Sequence, residues 1–149
     1  MQSEFKQFLL TLRQKDVRFI VAGGLACALN GFIRVTEDVD ILVDASPENI
    51  DRLLAVLARW GEGVAKDLTK AEFRLEPGAI RIEEDFPLDL FTVLNGKTYQ
   101  DYIRGAEVSA DGIQYLSIAD LIETKQNTHR EKDQIDILAL RRILNRQNP

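Results

Sequence analysis

The stretch FIVAGGLACALNGFIRVTEDVDILVD, from Phe19 to Asp44, decides the fold of this chain. The apolar, β-rich residues 17–22 predict a buried strand, and the pair Gly23-Gly24 ends it. A short helix over residues 25–29 follows and stops at an Asn-Gly pair. Residues 39–43 are apolar on both faces, which predicts a second, central strand. The stretch therefore predicts a strand, a glycine turn, a helix and another strand.

The second predicted strand opens with a pair of carboxylates. Asp38 and Asp40 are two residues apart, so on a strand both side chains leave the same face. Two carboxylates on one face suit Mg²⁺, a hard cation that prefers oxygen ligands. The chain contains 13 aspartates, and about one Asp-x-Asp is expected by chance in such a chain. The pair is therefore informative only through its surroundings.

A glycine turn and a distant aspartate make the pair of carboxylates informative. Gly23 and Gly24 lie between a strand and a helix, where free backbone N–H groups can hold an anion; a plain tight turn is the alternative. Asp89, between Leu88 and Leu90, is the candidate third carboxylate because an unpaired charge in an apolar strand is costly. The alternative for Asp89 is an aspartate at a strand edge or one paired with an arginine.

Length and composition bound the class of protein. The 149 residues, 45% hydrophobic and 29% charged, are expected to form a single globular domain over residues 1–149. The net charge of −5 disfavours binding of a long duplex through a basic face. A single cysteine, Cys27, excludes an internal disulfide, and a single histidine, His129, excludes a histidine-rich zinc site. No membrane span or signal peptide is evident, so we expect a cytoplasmic protein without membrane contact.

The remaining chain alternates helices and strands. Periodicity and capping residues predict further helices over residues 3–15, 46–60, 98–104, 117–127 and 130–146. Alternation and turn residues predict a hairpin of residues 72–75 and 79–83, a strand over 88–94, and a hairpin of residues 107–109 and 113–116. This order predicts a mixed α/β (α+β) protein in which a mixed sheet carries flanking helices and a C-terminal helical pair.

Two motifs in the chain resemble those of a known superfamily. The pattern Gly23-Gly24-Leu-Ala, then Gly31-x-x-Arg34-x-Thr36-x-Asp38-x-Asp40, resembles the signature of polymerase-β-like nucleotidyltransferases. Within that superfamily it is most similar to the small AbiEii-type and related prokaryotic nucleotidyltransferases. The run Lys125-x4-Arg130-x-Lys132-Asp133-x2-Asp136 is similar to a segment that those proteins carry after the sheet. Between the two motifs, only Asp89 is matched.

The resemblance implies a set of site residues and a cofactor. Asp38, Asp40 and Asp89 would be catalytic and would bind two Mg²⁺ or Mn²⁺ ions. The NTP phosphates would be contacted by Gly23, Gly24, Arg34, Thr36 and Lys125, with Lys132 and Asp133 as supporting residues. Many relatives carry serine where this chain has Gly24, which can offer only its backbone N–H. Without the resemblance, the arginine and threonine are a surface residue and a β-former, and the lysines belong to a solvated helix face.

The reaction implied by the resemblance is transfer of a nucleoside monophosphate from an NTP to a hydroxyl. The acceptor would be an RNA end such as that of tRNA, a protein side chain or a small molecule. The AbiEii-type resemblance favours the toxin of a toxin–antitoxin pair. Such toxins typically carry an additional helical domain, so the acceptor-binding half would come from a homodimer partner or from a cognate antitoxin protein.

Two other classes of protein stay open. One is a catalytically idle nucleotide-binding or scaffold protein that has kept the fold. Three carboxylates that converge without a metal repel one another, which argues against this class. The other is a phosphohydrolase with similar Asp-x-Asp chemistry. Such enzymes usually need the nucleophilic aspartate at the end of a strand, whereas Asp38 and Asp40 open one.

Overall fold

The computed structural model describes residues 1–126 and 128–148, and these form a mixed α/β fold. The described residues contain six α-helices: α1 (Ser3–Gln14), α2 (Gly23–Leu29), α3 (Pro47–Leu57), α4 (Tyr99–Tyr102), α5 (Ile118–Lys125) and α6 (Glu131–Gln147). Short 3₁₀ helices cover Val64–Asp67, Lys70–Glu72 and Ile103–Gly105. None of the described helices is both long enough and apolar enough to cross a membrane.

The strands form one large mixed sheet and a small ribbon. In chain order they are β1 (Phe19–Ala22), β2 (Val39–Val43), β3 (Ile80–Glu83), β4 (Pro87–Phe91), β5 (Val93–Leu94), β6 (Lys97–Thr98), β7 (Glu107–Val108) and β8 (Gln114–Tyr115). The large sheet has the order β3-β4-β2-β1-β8-β7, and β5 pairs with β6. In the sheet, β2 runs parallel to β4 and antiparallel to β1. The predicted fold class is confirmed, including the C-terminal pair α5 and α6.

The central strands are held by apolar residues on both of their faces. All four residues of β1 are buried, and so are four of the five residues of β2. Helix α1 buries the stripe predicted from its helical spacing, namely Phe5, Phe8, Leu9 and Leu12. Cys27 of α2 is fully buried among these elements, as expected of a small hydrophobic residue.

The prediction of a hairpin over residues 72–83 is wrong for its first strand, residues 72–75. Glu72 ends a 3₁₀ helix, and its carboxylate accepts a hydrogen bond from the Thr69 backbone N–H at 2.7 Å. This local capping interaction replaces strand pairing. The second half does form a strand, β3, but it pairs with β4, so that Arg81 stands opposite Asp89.

The strand predicted over residues 88–94 is divided in two. β4 ends at Phe91, and the Thr92 hydroxyl donates a hydrogen bond to the backbone carbonyl of Arg74. The chain then enters the ribbon of β5 and β6. Asn95 and Gly96 connect these strands with φ angles of 52° and 75°. Positive φ at both residues is typical of the two-residue Asn-Gly hairpin, which is the sequence signal for this ribbon.

The predicted helices are present, with ends that differ by a few residues. α2 begins at Gly23, so the two glycines form its first turn instead of preceding it. The helix predicted to reach Trp60 ends at Leu57. α5 ends at Lys125, and the predicted end at Asn127 lies outside the described residues.

Candidate active site

Three carboxylates meet where β2 and β4 lie side by side. Asp40 of β2 stands opposite Asp89 of β4 in parallel register, so both side chains leave the same face of the sheet. Asp38 immediately precedes β2, instead of lying on it as predicted, and lines the same cavity of about 440 Å³. The structure thus brings together the three aspartates identified from the sequence. Their catalytic role stays a prediction.

The glycine turn lies directly against these carboxylates. Gly23 has a φ of +59°, and a Cβ atom at this residue would overlap the Oδ2 oxygen of Asp40. A Cβ atom at Gly24 would stand 2.8 Å from Nη2 of Arg34 and 3.3 Å from Oγ1 of Thr36. Gly23 is therefore required by its backbone conformation and by its close approach to Asp40, whereas a side chain at residue 24 would only have to displace the flexible end of Arg34.

The crowding of the carboxylates changes the acidity of Asp40. Burial raises the pKa of Asp40, and the charge of Asp89, a hydrogen bond with Asp89 and the charge of Asp38 raise it further, to about 7. The positive charge of Lys125 acts in the opposite direction. Asp40 is thus close to half protonated at neutral pH, a state typical of functional clusters of acids.

Arg81 of β3, a residue that the sequence analysis overlooked, stands among the carboxylates. Its Nη1 lies 3.1 Å from Oδ2 of Asp89 and 3.6 Å from Oδ2 of Asp38. Its Nε donates to the carboxylate of Glu83 at 2.8 Å. The hydrogen bond with Glu83 and the charge of Asp89 raise the pKa of Arg81. The arginine partner considered for Asp89 is therefore present in the structure.

Lys125, the predicted phosphate-binding lysine, is not among the residues that line this cavity. Its Nζ pairs with Oδ2 of Asp136 at 2.8 Å and with Oδ1 of Asp133 at 3.4 Å, and the residue is only 7% exposed. Nη2 of Arg34 lies 3.2 Å from the same oxygen of Asp136. We call these four residues the buried ion cluster. The amine of Lys125 is thus enclosed by carboxylates, and its contact with phosphate stays a prediction.

The other four residues of the C-terminal motif are divided between the cavity and the buried ion cluster, to which Asp136 belongs. Lys132 lines the cavity, together with Arg130. Asp133 instead accepts a hydrogen bond from the Thr128 hydroxyl at 2.8 Å and pairs with Lys125. Burial acts to raise the pKa of Asp133, but the hydrogen bond from Thr128 and the charge of Lys125 outweigh it and lower the pKa. Lys132 therefore faces the site, and Asp133 joins α5 to α6.

The donor set of the cavity suits a hard cation, although it is not closed around one. Carboxylate oxygens are the ligands that Mg²⁺ and Mn²⁺ prefer, and three repelling carboxylates are relieved by positive charge. Within residues 1–126 and 128–148, however, no three histidine, cysteine, aspartate or glutamate side chains are arranged to hold one metal ion. Arg81 lies beside two of the three carboxylates, with Nη1 close to both Asp38 and Asp89.

A larger cavity, of about 570 Å³, lies elsewhere in the molecule. It is a groove between α1 and α3, and its apolar wall includes Phe8, Trp60 and Phe86. These rings contact one another, with centroids 4.5 Å to 5.7 Å apart. The groove contains none of the three aspartates, so we place the candidate active site in the smaller, polar cavity.

The mixed sheet, the glycine turn and the converging carboxylates are the features expected of an enzyme of nucleotidyl transfer. The family model described as "nucleotidyltransferase of unknown function (DUF6036)" matches residues 2–146, so the chain belongs to this family. A search of curated proteins found no match. The family match confirms the nucleotidyltransferase part of the resemblance, and the polymerase-β-like and AbiEii-type assignments stay predictions.

Proposed function

We propose that this chain transfers a nucleoside monophosphate from an NTP to a hydroxyl acceptor with the help of divalent metal ions. The observation that carries the proposal is the convergence of Asp38, Asp40 and Asp89 in one cavity against the Gly23-Gly24 turn. Membership of a nucleotidyltransferase family supports the class of reaction.

The cavity has groups for the phosphates and for the base of a nucleotide. The side chains of Arg130 and Lys132 line it together with the carboxylates and would pair with phosphate oxygens. The backbone of Gly24 would approach the phosphates closely because no side chain shields it. Phe91 lines the same cavity and offers an aromatic face on which the base would stack.

The carboxylates would hold the metal ions. Asp38, Asp40 and Asp89 would ligate two Mg²⁺ or Mn²⁺ ions, which when bound would supply charge stabilisation of the transferred phosphoryl group and of the leaving pyrophosphate. Asp40 would act as a ligand in its deprotonated form, so its raised pKa makes ligation compete with protonation near neutral pH. The buried ion cluster would keep Arg34 and the loop before β2 in place during the reaction.

The acceptor and the biological role rest on the resemblance alone. The three acceptor classes, namely an RNA end, a protein hydroxyl and a small molecule, all belong to the proposal, because the residues that line the cavity favour none of them. A role in a toxin–antitoxin pair, with a second copy or an antitoxin protein completing the acceptor site, is the more specific form of the proposal.

A catalytically idle nucleotide-binding or scaffold protein is the second candidate. The observation that favours it is the pairing of Arg81 with Asp38 and Asp89, two of the three carboxylates. In an idle protein this pairing would partly neutralise the carboxylates without any metal ion.

A labelling experiment tests the proposal. The protein is incubated with NTPs labelled at the α-phosphate, with Mg²⁺ or Mn²⁺, and with separate RNA, protein and small-molecule fractions of a cell extract. We expect label on one fraction, its loss in Asp38→Asn, and its retention in Asp67→Asn, which changes an exposed carboxylate outside the cavity. Absence of label with both metals would contradict the proposal, and NTP binding without label would favour the idle protein.

A further inference from the structure

We propose that Arg81 is a built-in counter-cation, which occupies the place of a divalent ion between Asp38 and Asp89 and leaves it when the ion arrives with a nucleotide. The inference rests on the proposed function, because it assumes that these carboxylates hold the ion. Its consequence is that the protein binds the divalent ion poorly on its own and better together with an NTP.

One nitrogen atom of Arg81 lies between the two carboxylates. Nη1 of Arg81 contacts carboxylate oxygens of both Asp89, at 3.1 Å, and Asp38, at 3.6 Å. A divalent ion held by the same oxygens would lie about 2.0–2.6 Å from them. The nitrogen and the ion cannot share this space, and like charges repel. Occupation by the guanidinium and occupation by the ion are therefore mutually exclusive.

The side chain of Arg81 lies at the surface, where it has room to move. β3 is an edge strand of the sheet, and the Arg81 side chain is 46% exposed. Its remaining partner, Glu83, is also on the surface, so this ion pair does not fix the guanidinium firmly. Lys125 is the opposite case, because its amine is held between two buried carboxylates. The site thus has a fixed cation in the buried ion cluster and a movable one at its edge.

A bound nucleotide would give Arg81 a new partner. Arg81 lines the cavity, where a bound triphosphate would bring phosphate oxygens. The planar guanidinium with its paired N–H groups fits such oxygens. When Arg81 leaves the carboxylates for the phosphates, the ion gains its ligands. Each of the two ligands then raises the affinity of the other, as thermodynamic linkage requires.

Calorimetric titration with Mn²⁺ in the absence of nucleotide tests the inference. We expect Arg81→Gln to bind Mn²⁺ about fivefold more tightly than the wild type, as fits the loss of a partly exposed ionic competitor. The matched control is Arg104→Gln, which removes the same charge from an exposed residue that is not among those lining the cavity. With ATP present, Mn²⁺ affinity is expected to rise in the wild type and to rise less in Arg81→Gln.

Arg81→Lys separates charge from loss of the side chain. It keeps a cation near the carboxylates, so we expect its Mn²⁺ affinity to stay within about twofold of the wild type. Both substitutions lie on an exposed edge-strand residue, and thermal unfolding followed by circular dichroism checks that each variant is folded.

The failures of the two proposals are distinguishable. If Arg81→Gln binds Mn²⁺ no more tightly than the wild type, or if Arg81→Lys binds it as tightly as Arg81→Gln, the counter-cation inference is wrong and the proposed function stands. If none of the variants binds Mn²⁺, with or without ATP, both the metal site of the proposed function and the inference built on it are wrong.

Discussion

Gly23 has two separate physical requirements, and substitution can distinguish them. Its φ of +59° disfavours any residue with a Cβ atom, and that Cβ atom would also overlap Asp40. We expect Gly23→Ala to lower the free energy of unfolding by about 2–4 kcal/mol, since the backbone and overpacking penalties add. Urea unfolding measures this change.

The control for Gly23 is a glycine that has only the first requirement. Gly96 has a φ of +75°, and a Cβ atom added there would have nothing within 4 Å of it. Gly96→Ala should therefore cost only the backbone penalty of about 1 kcal/mol. If both variants lose the same stability, the close approach of Asp40 adds nothing to the cost of a Cβ atom at residue 23.

The raised pKa of Asp40 makes stability depend on pH. Because the pKa of this group is about 7 in the folded protein and 3.8 in the reference state, the folded state binds more protons between these values. The free energy of unfolding contributed by Asp40 therefore falls as the pH rises through this window. Asp40→Asn has no such titrating group, so its free energy of unfolding should not fall in this window. The difference in the free energy of unfolding between Asp40→Asn and the wild type should therefore grow in favour of the variant by about 2 kcal/mol from pH 5 to pH 8.

Urea unfolding in the presence of EDTA measures the effect on Asp40 without interference from divalent ions. Asp67→Asn is the control, because it neutralises an exposed aspartate that is not among the residues lining the cavity. A stability difference for Asp40→Asn that does not change with pH would show that Asp40 keeps an ordinary acidity.

At the scale of the elements, the buried ion cluster joins α5, α6 and the loop before β2. Lys125→Met keeps the length of the side chain but removes the cation that lies between Asp133 and Asp136, so that Asp136 keeps only Arg34 as a partner. We expect a loss of about 3 kcal/mol in the free energy of unfolding, because the cost of unpaired buried charge outweighs the gain in apolar packing. Denaturant titration followed by circular dichroism measures it.

An exposed ion pair provides the comparison for Lys125. Lys70 lies 3.1 Å from Asp51, and both side chains are more than half exposed. Lys70→Met should cost less than about 1 kcal/mol, since solvent screens such a pair. Equal losses for the two methionine variants would mean that burial does not strengthen the cluster.

The elements that sequence analysis predicts well are those fixed by local pattern. The apolar runs of β1 and β2, the stripe of α1 and the aspartates on β2 and β4 all follow from spacing within a segment. Arg81 could not be identified in this way, because its role depends on the pairing of β3 with β4. The wrong partner for β3 therefore concealed the residue that stands among the carboxylates.

The ion pairs of Lys125 could not be predicted for a similar reason. The sequence pattern places Lys125 at the end of the first helix of the C-terminal pair, but the direction of its amine depends on how α5 packs against α6. Asp133 and Asp136 are buried on α6, and buried carboxylates need a cation beside them. The aspartates of α6, taken together with Lys125, are the signal that could have suggested an internal ion cluster.

At the scale of the whole molecule, we predict that the chain unfolds as one cooperative unit, as a single domain would. Trp60 is the only tryptophan, and it packs against Phe8 and Phe86 away from the buried ion cluster. Its fluorescence and the far-ultraviolet circular dichroism should therefore change at the same urea concentration.

The variant Lys125→Met provides a second test of cooperative unfolding. Lys125→Met acts on α5 and α6, whereas Trp60 reports on the region of α1 and α3. In a single cooperative unit, the substitution shifts the fluorescence midpoint as far as the circular dichroism midpoint. A fluorescence midpoint that does not move would show that the two regions unfold separately.

The parallel pairing of β2 with β4 also determines when a newly made chain can form the complete candidate site. Asp38 and Asp40 leave the ribosome early, but Asp89 faces them only after β4 has been synthesised and has inserted beside β2. A register slip of one residue would turn Asp89 to the other face of the sheet. Incomplete translation products that end before β4 therefore lack Asp89 and cannot form the complete candidate site.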